Sequence, residues 1–153
     1  MQKEDKAWIE YREKFSEVYD ESNYSTPLQS SVMRASHKLV EKAFDDQVHF
    51  GSVLEVGAGT GEHLPFVRHS FDEYTLTDHD PKTLEVAKRK FAATLSGKVT
   101  FEVQTGSELA YPDNSFDRLV ATHVLEHIYQ PHLVLQEWCR VLRHGGTLSI
   151  LIP

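Results

Sequence analysis

Short apolar runs alternate with helical patterns from Gly51 onward, and this alternation limits the possible folds more than any other feature of the chain. The runs that read as buried strands are SVLEV (52–56), EYTLT (73–77), KVTFEV (98–103), FDRLVAT (116–122) and TLSILI (147–152). Between them, helical patterns cover residues 62–69, 81–94 and 131–143. Strands joined through helices pair in parallel, so the sequence predicts an α/β fold with a mostly parallel sheet and helices on both faces.

The residues before Gly51 carry helical patterns only. In residues 4–20, apolar side chains recur at helical spacing, and a second helix is predicted over residues 28–44, with Thr26 as its cap and Pro27 at its first position. We therefore expect residues 1–50 to form an N-terminal helical cap of the same domain. Residues 51–153 are expected to form its core.

The composition excludes several classes of function. The net charge of −7 argues against a nucleic-acid-binding protein, which needs a basic surface. No apolar run approaches the roughly 18 residues of a membrane span. The single cysteine, Cys139, cannot form an internal disulfide, which favours a reducing compartment and predicts a cytoplasmic protein. Because Cys139 lies in an apolar helical pattern, we expect it to be a packing residue.

A glycine-rich loop and a later carboxylate are the strongest indications of a ligand site. The first strand runs into Glu55-Val56-Gly57-Ala58-Gly59-Thr60-Gly61, and the second strand ends at Asp78, which follows Gly57 by 21 positions. This spacing suits a carboxylate that binds ribose hydroxyls beside a glycine loop. The alternative is a tight turn in an unrelated α/β protein, with Asp78 as a helix cap before Pro81.

The residue that follows the loop distinguishes between nucleoside ligands. A dinucleotide-binding loop needs a further glycine at the position occupied here by Glu62, whose negative charge is unfavourable beside phosphates. A nucleoside without phosphates and with a positive centre is the better fit. A dinucleotide oxidoreductase is the weaker alternative.

Four segments in this order resemble the class I S-adenosylmethionine-dependent methyltransferases, especially the small-molecule enzymes related to ubiquinone and menaquinone biosynthesis. The segments are VLEVGAGTGEH, LTDHDPKTLEVAKRK, YPDNSFDRLVATHVLEHI and LQEWCRVLRHGGTLSILIP. The resemblance implies a Rossmann-like three-layer αβα sandwich with strand order 3-2-1-4-5. It also implies a late antiparallel pair of strands that this sequence lacks, so we expect a chain truncated after its fifth strand.

The resemblance further implies roles for individual residues, with S-adenosyl-L-methionine as the cofactor. Gly57, Ala58, Gly59, Thr60 and Gly61 would pass under its methionine part, and Glu55 would order its amino group. Asp78 would hold the ribose hydroxyls, His79 would lie against the adenine, and Ala121, Thr122 and His123 would line the sulfonium side. Where the family usually places an aspartate near the adenine, this chain offers Ser107 or Glu108.

The segment HVLEH (123–127) also matches the H-x-x-E-H pattern of an inverted zinc-protease site. A zinc site on that pattern needs a longer helix and a third ligand, whereas Pro131 ends this helix after about one turn. We therefore predict no metal. His123 is expected to face the cofactor cleft, and His127 to be a packed or capping residue, with a general-base role as the alternative.

The predicted function is a transferase, an S-adenosylmethionine-dependent methyltransferase or its cofactor-binding portion, that acts on a small-molecule methyl acceptor. Because methyl transfer needs positioning more than acid–base chemistry, no catalytic residue is assigned. The alternative is a non-catalytic S-adenosylmethionine- or S-adenosylhomocysteine-binding protein without a complete acceptor site. The fifth strand is expected to lie exposed at an edge, where it would favour a homodimer.

Overall fold

The computed structural model describes residues 6, 9, 10, 27–91, 93–95 and 97–152 of the chain. The chain divides into two compact units, residues 1–39 and 40–153. Helix α1 spans Pro27–Val40. The helix predicted over residues 4–20 lies outside the described residues, apart from three helical positions, and so does its neighbour Thr26. The helical cap over residues 1–50 stays a prediction.

Five parallel strands form the sheet within the described residues. They are β1 (His49–Val56), β2 (Ser70–Asp78), β3 (Val99–Val103), β4 (Phe116–Thr122) and β5 (Leu142–Leu151). Their order is β3-β2-β1-β4-β5, and every neighbouring pair is parallel. The predicted strand order is therefore confirmed.

Apolar side chains alternate between the two faces of the central strands and build a core on each face. On one face Val53 and Val120 pack in a cluster with Leu84 of helix α2 (Pro81–Phe91). On the other face Leu54 and Leu119 pack in a cluster with Trp138 of helix α3 (Pro131–Val141). The predicted three-layer αβα arrangement is thus confirmed. None of the helices that the structure describes is long and apolar enough to cross a membrane.

The helix predicted over residues 62–69 is wrong. This segment contains only a short 3-10 helix, Leu64–Phe66, closed by i to i+3 hydrogen bonds from Phe66 to His63 and from Val67 to Leu64. Pro65 explains the difference, because it lacks an N–H and disfavours the α conformation at the residue before it. The glycine loop is therefore not followed by an α-helix whose free N–H groups could face a ligand.

Other element ends also differ from the prediction. The helix predicted over residues 28–44 ends at Val40, and Asp45 and Asp46 follow where negative charge is unfavourable to a helix. Strand β5 begins at Leu142 rather than at Thr147, because residues 143–146 are accommodated in an irregularity opposite β4. Cys139 is exposed, so the prediction that it is a packing residue is wrong.

A buried group of charged side chains connects three parts of the second unit. Arg118 of β4 donates to both carboxylate oxygens of Glu41, at 2.6 and 3.1 Å, and His63 lies 2.9 Å from the same carboxylate. The side chains of all three are fully buried. Phe44 packs over the guanidinium, whose carbon lies 4.2 Å from the ring centroid. A cluster of this kind needs every partner, because a single buried charge left unpaired is costly.

The buried carboxylate predicts a pH-dependent stability. Burial alone would raise the pKa of Glu41, but hydrogen bonds from His63 and Arg118 lower it from 4.5 to about 2. Since the folded pKa lies below the unfolded one, the stabilisation is complete above pH 4.5 and is lost as the pH falls towards 2. Glu41→Gln should therefore lower the free energy of unfolding by about 3 kcal/mol at neutral pH, and by less in acid.

Urea unfolding of the wild type and the variant between neutral and acidic pH measures this difference. Glu85→Gln is the control, because it removes the same charge from an exposed helical pair with Arg89 and should change stability by no more than about 0.5 kcal/mol. Equal stability of the Glu41 variant and the wild type at neutral pH would contradict the assignment.

Candidate functional site

The carboxyl ends of β1, β2 and β4 meet at one edge of the sheet. Val56 of β1 lies opposite Thr77 of β2, and Glu55 of β1 lies opposite Val120 of β4. The segments that leave these strands, residues 57–61, 78–80 and 123–127, are thereby brought together. In open parallel sheets this edge, between strands whose connections run to opposite sides, is where ligands bind.

The glycines of the loop serve different purposes. Gly57, Gly59 and Gly61 have φ values of 68°, 53° and 77°, in the left-handed region that favours glycine. A side chain at Gly57 would meet Val124 at 2.4 Å, and one at Gly61 would meet Phe91 at 2.6 Å. At Gly59 a Cβ would meet nothing within 4 Å. The outer glycines therefore allow close packing, and Gly59 presents bare backbone to open space that a ligand can approach.

Asp78 holds the middle of the loop against the end of β2. Its Oδ2 accepts a hydrogen bond from the N–H of Gly59 at 2.9 Å, and its Oδ1 accepts one from the N–H of Asp80 at 2.9 Å. The residue is 7% exposed. A carboxylate has about four acceptor positions, so these two backbone hydrogen bonds leave room for a hydroxyl donor. The structure thus brings together the glycine loop and the acid that the sequence paired with it.

Glu62 is held by a cation that the sequence analysis did not include. Lys90 of α2 lies 2.6 Å from Oε1 of Glu62 and donates to the carbonyl oxygen of Thr60 at 3.2 Å. The hydroxyl of Thr60 donates to the same carboxylate at 2.9 Å. The ion pair offsets the charge of Glu62, so the charge argument against phosphate ligands is weaker than the sequence suggested. The absence of a glycine at position 62 still disfavours a dinucleotide.

Glu55 lies beneath the loop rather than in it. The residue is 1% exposed, and its Oε2 accepts a hydrogen bond from the hydroxyl of Tyr74 at 2.8 Å. Burial raises the pKa of Glu55, against the opposing effects of His63 and the Tyr74 hydrogen bond. In this arrangement the carboxylate is bonded to the core, and a contact with the amino group of a cofactor stays a prediction.

The residues predicted beside the adenine are exposed. His79 follows β2, and its Nδ1 lies 3.1 Å from Oδ1 of Asp78. Ser107 and Glu108 lie in the turn after β3, where Thr105 and Glu108 form an isolated bridge. No aspartate stands in this turn, and the choice between Ser107 and Glu108 stays open.

The end of β4 is strained. Ala121 is fully buried, Thr122 is the last residue of the strand, and His123 has a φ of 56°. A left-handed conformation is uncommon for a residue other than glycine and often marks a functional site. The N–H of His123 donates to the carbonyl of Leu151 at 2.8 Å, which fixes this conformation against the end of β5.

Residues 124–127 form a single turn rather than a metalloprotease helix. The 3-10 helix covers Leu125–His127, which confirms the short turn predicted from Pro131. Oε1 of Glu126 lies 3.9 Å from Nδ1 of His123 and 3.8 Å from Nε2 of His127, too far for hydrogen bonds. Over the described part of the chain, no three potential ligands are arranged to hold a metal ion. The absence of a metal stays a prediction.

Burial shifts the pKa values of the titratable residues in this turn. It lowers the pKa of both His123 and His127 and raises the pKa of Glu126. At neutral pH the two imidazoles therefore favour the uncharged form, which suits packed residues or proton acceptors.

Three residues at or under the site were not assigned a role there by the sequence. Lys90 and His63 anchor the loop, but helical spacing marks Lys90 only as a surface residue. His63 and its partner Glu41 are separated by 22 positions, and no local pattern indicates their contact. Glu126 was considered only as a metal ligand. Glu126 follows β4 closely in the sequence, and this position was the one indication that could have assigned it to the ligand site.

Comparison with known proteins agrees with this geometry. The sequence profile of the family described as "Methyltransferase domain" matches residues 54–150. A 2-methyl-6-phytyl-1,4-hydroquinone methyltransferase of rice is 37% identical over 108 residues, which cover 69% of this chain and 32% of that protein.

Solved structures share the fold. The [4+2]-cyclase SpnF superposes with a TM-score of 0.64 and 26% identity, over 82% of this chain and 46% of that chain. An S-adenosylmethionine-dependent methyltransferase from Aquifex aeolicus has a TM-score of 0.57 and 22% identity, over 65% of this chain and 55% of that chain. At that identity the second likeness concerns the fold alone.

The curated relatives are longer than this chain. It spans between 32% and 50% of the lengths of the first four that it matches. The matched profile nevertheless covers four of the five strands completely or nearly so, together with the glycine loop, Asp78 and the turn after β4. By this match, the chain belongs to the methyltransferase-domain family.

Proposed function

We propose that this chain forms the cofactor-binding part of an S-adenosylmethionine-dependent methyltransferase that acts on a small-molecule acceptor. The observation that carries the proposal is the bare backbone at Gly59, held at 2.9 Å by the carboxylate of Asp78. This arrangement supports a ligand surface at Gly59 beside an acid that would bind the ribose. The hydroquinone methyltransferase of rice and the other methyltransferases among the relatives support a small-molecule acceptor.

The proposed site uses residues from each strand end. The loop residues 57–61 would carry the methionine part of the cofactor, and Asp78 would accept hydrogen bonds from the ribose hydroxyls. His79 and either Ser107 or Glu108 would flank the adenine. The sulfonium side would be lined by Ala121, Thr122 and His123, and Glu55 would act on the amino group from below the loop.

The chemistry of the reaction makes modest demands on these residues. S-adenosylmethionine supplies a methyl group on a positively charged sulfur. Held by the loop residues and Asp78, the cofactor would supply this methyl group to a lone pair of the acceptor and leave as the neutral thioether. The chain's own contribution is to hold the ends of the ligand and to exclude water from the reacting atoms. His127, with its lowered pKa, is the alternative proton acceptor from the sequence analysis.

A cofactor-binding protein without methyl transfer is the second candidate. SpnF, a [4+2]-cyclase by its description, has the same fold. Incubation with S-adenosylmethionine and a panel of phenols, amines and carbon acids distinguishes the two candidates. Formation of S-adenosylhomocysteine together with a methylated product supports the enzyme, whereas binding without turnover supports the second candidate.

Two further features of the function remain proposals. The acidic balance of 16 basic against 23 acidic residues supports an acceptor other than nucleic acid. The single thiol, Cys139, supports a reducing compartment such as the cytoplasm.

Asp78 provides a direct test of ligand binding. We expect the wild type to bind S-adenosylhomocysteine with one site per chain in calorimetry. Asp78→Ala should weaken binding by about 2 kcal/mol, on the order of thirtyfold in Kd, because charge-assisted hydrogen bonds to the ribose are lost. Asp72→Ala is the matched control, since Asp72 lies near the amino end of the same strand and is exposed.

The two variants also separate binding from folding. Both melting temperatures should be measured, because Asp78 additionally accepts hydrogen bonds from Gly59 and Asp80. Unchanged affinity in a folded Asp78→Ala protein would overturn the ribose assignment. No binding of S-adenosylhomocysteine to the wild type would overturn the proposed cofactor.

A homodimer through β5 is also proposed. Among the described strands β5 pairs only with β4, so no described strand uses the N–H and C=O groups on its other side. Ile152, just past the strand, is 56% exposed. Light scattering should detect a dimer that Ile152→Lys shifts towards monomer. Val103→Lys at the opposite edge, where Val103 is 58% exposed, should leave the dimer intact. A monomeric wild type at high micromolar concentration would contradict this proposal.

A further inference from the structure

The carboxylate of Glu126 lacks the partners that a buried charge normally has. Neither of its oxygens is accessible to solvent or accepts a hydrogen bond from another described residue. The charged or chargeable groups found within 4 Å of it, in the part of the chain that the structure describes, are His123 and His127. Unsatisfied buried polar groups are rare in native proteins and often mark a ligand or catalytic role.

The neighbouring imidazoles do not neutralise this charge. Their nitrogens stand 3.8 and 3.9 Å from Oε1, beyond hydrogen-bond distance. Burial lowers the pKa of both histidines, so at neutral pH both favour the uncharged form. Burial also raises the pKa of Glu126, against the smaller opposing effects of its own backbone N–H and of His123.

The turn that carries Glu126 lies beside the glycine loop. Its turn packs against the glycine loop, because Val124 fills the space that a side chain at Gly57 would need. On its other side Ile128 approaches Gly106 in the turn after β3. Glu126 thus belongs to a turn that begins at the strained His123 and whose neighbouring residues contact the glycine loop and the turn after β3.

We propose that Glu126 supplies the counter-charge for the cationic centre of the cofactor and so distinguishes S-adenosylmethionine from S-adenosylhomocysteine. The inference rests on the proposed function. The two ligands have the same adenosine and amino-acid ends, but one carries a sulfonium and the other a neutral thioether. An uncompensated carboxylate attracts the first and gains nothing from the second.

This selectivity acts on turnover rather than on the chemical step. Attraction between Glu126 and the sulfonium stabilises the cofactor before transfer, so it cannot by itself accelerate the reaction. After transfer the positive charge has left the sulfur, and the attraction disappears. The site then favours exchange of the spent cofactor for a new one. Glu126 is therefore a specificity-determining residue, and methyl transfer needs no proton movement through it.

The test measures a ratio of affinities, which a purely structural role does not change. Calorimetry gives the Kd of both ligands for the wild type, for Glu126→Gln and for Glu126→Asp. In Glu126→Gln we expect the affinity for S-adenosylmethionine, relative to that for S-adenosylhomocysteine, to fall roughly tenfold. The Kd of S-adenosylhomocysteine should stay within about twofold of the wild-type value. Glu126→Asp retains the charge and should restore most of the ratio.

Glu85→Gln controls for the general loss of one negative charge, because Glu85 lies on the exposed surface of α2 in a pair with Arg89. Its ratio should equal that of the wild type. An unchanged ratio in Glu126→Gln, with both ligands bound, overturns the inference and leaves the proposed function standing. Failure of the wild type to bind either ligand overturns the proposed function itself.

A second measurement applies if Glu126→Gln does not fold. Sinefungin carries an ammonium group where S-adenosylmethionine carries its methyl-bearing sulfonium. The wild type should bind sinefungin roughly tenfold more tightly than S-adenosylhomocysteine, and the difference should decrease with ionic strength as charge screening increases. Equal or weaker binding of sinefungin would overturn the role of Glu126.

Discussion

The buried ion pair between Glu41 and Arg118 is the interaction on which the arrangement of the second unit depends. A guanidinium in the middle of a central strand would be costly without a carboxylate. That carboxylate comes from the segment before β1, so the burial of Arg118 in β4 depends on Glu41 being in place. His63, which follows the glycine loop, lies 2.9 Å from the same carboxylate, so the contact also fixes the end of the loop. One acid thereby connects the sheet, the segment that precedes it and the site.

The loop is fixed at three points that differ in their exposure. Its last part is held by the buried contact of His63, and its middle by Asp78. The outer contact, between Lys90 and Glu62, leaves both side chains nearly half exposed. Since Gly59 faces open space between these contacts, a ligand would meet a backbone that is already positioned and would need little further ordering. Such preorganisation reduces the entropic cost of binding.

The sequence predicted what depends on local pattern. Alternating apolar runs were sufficient to predict a mostly parallel sheet with helices on both faces, whereas the strand order came from the resemblance to a known family. The spacing from Gly57 to Asp78 was sufficient to pair the loop with its acid. The prediction from sequence failed where one residue overrides a pattern, as Pro65 does in the segment predicted to be a helix. It also failed where contacts join distant positions, because neither the Glu41–Arg118 pair nor the anchoring by Lys90 leaves a periodic trace. Exposure of Cys139 depends on how α3 is turned against the sheet.

The hydrogen bond from the indole of Trp138 to Gly106 has an optical consequence. Trp138 is fully buried, and its Nε1–H donates to the carbonyl of Gly106 at 2.8 Å, in the turn that carries Ser107 and Glu108. Indole emission responds to polarity and hydrogen bonding, so a ligand that displaces this turn changes the fluorescence of Trp138. Because Trp8 is the other tryptophan of the chain, a Trp8→Phe protein would contain a single tryptophan, hydrogen-bonded to the turn that carries Ser107 and Glu108.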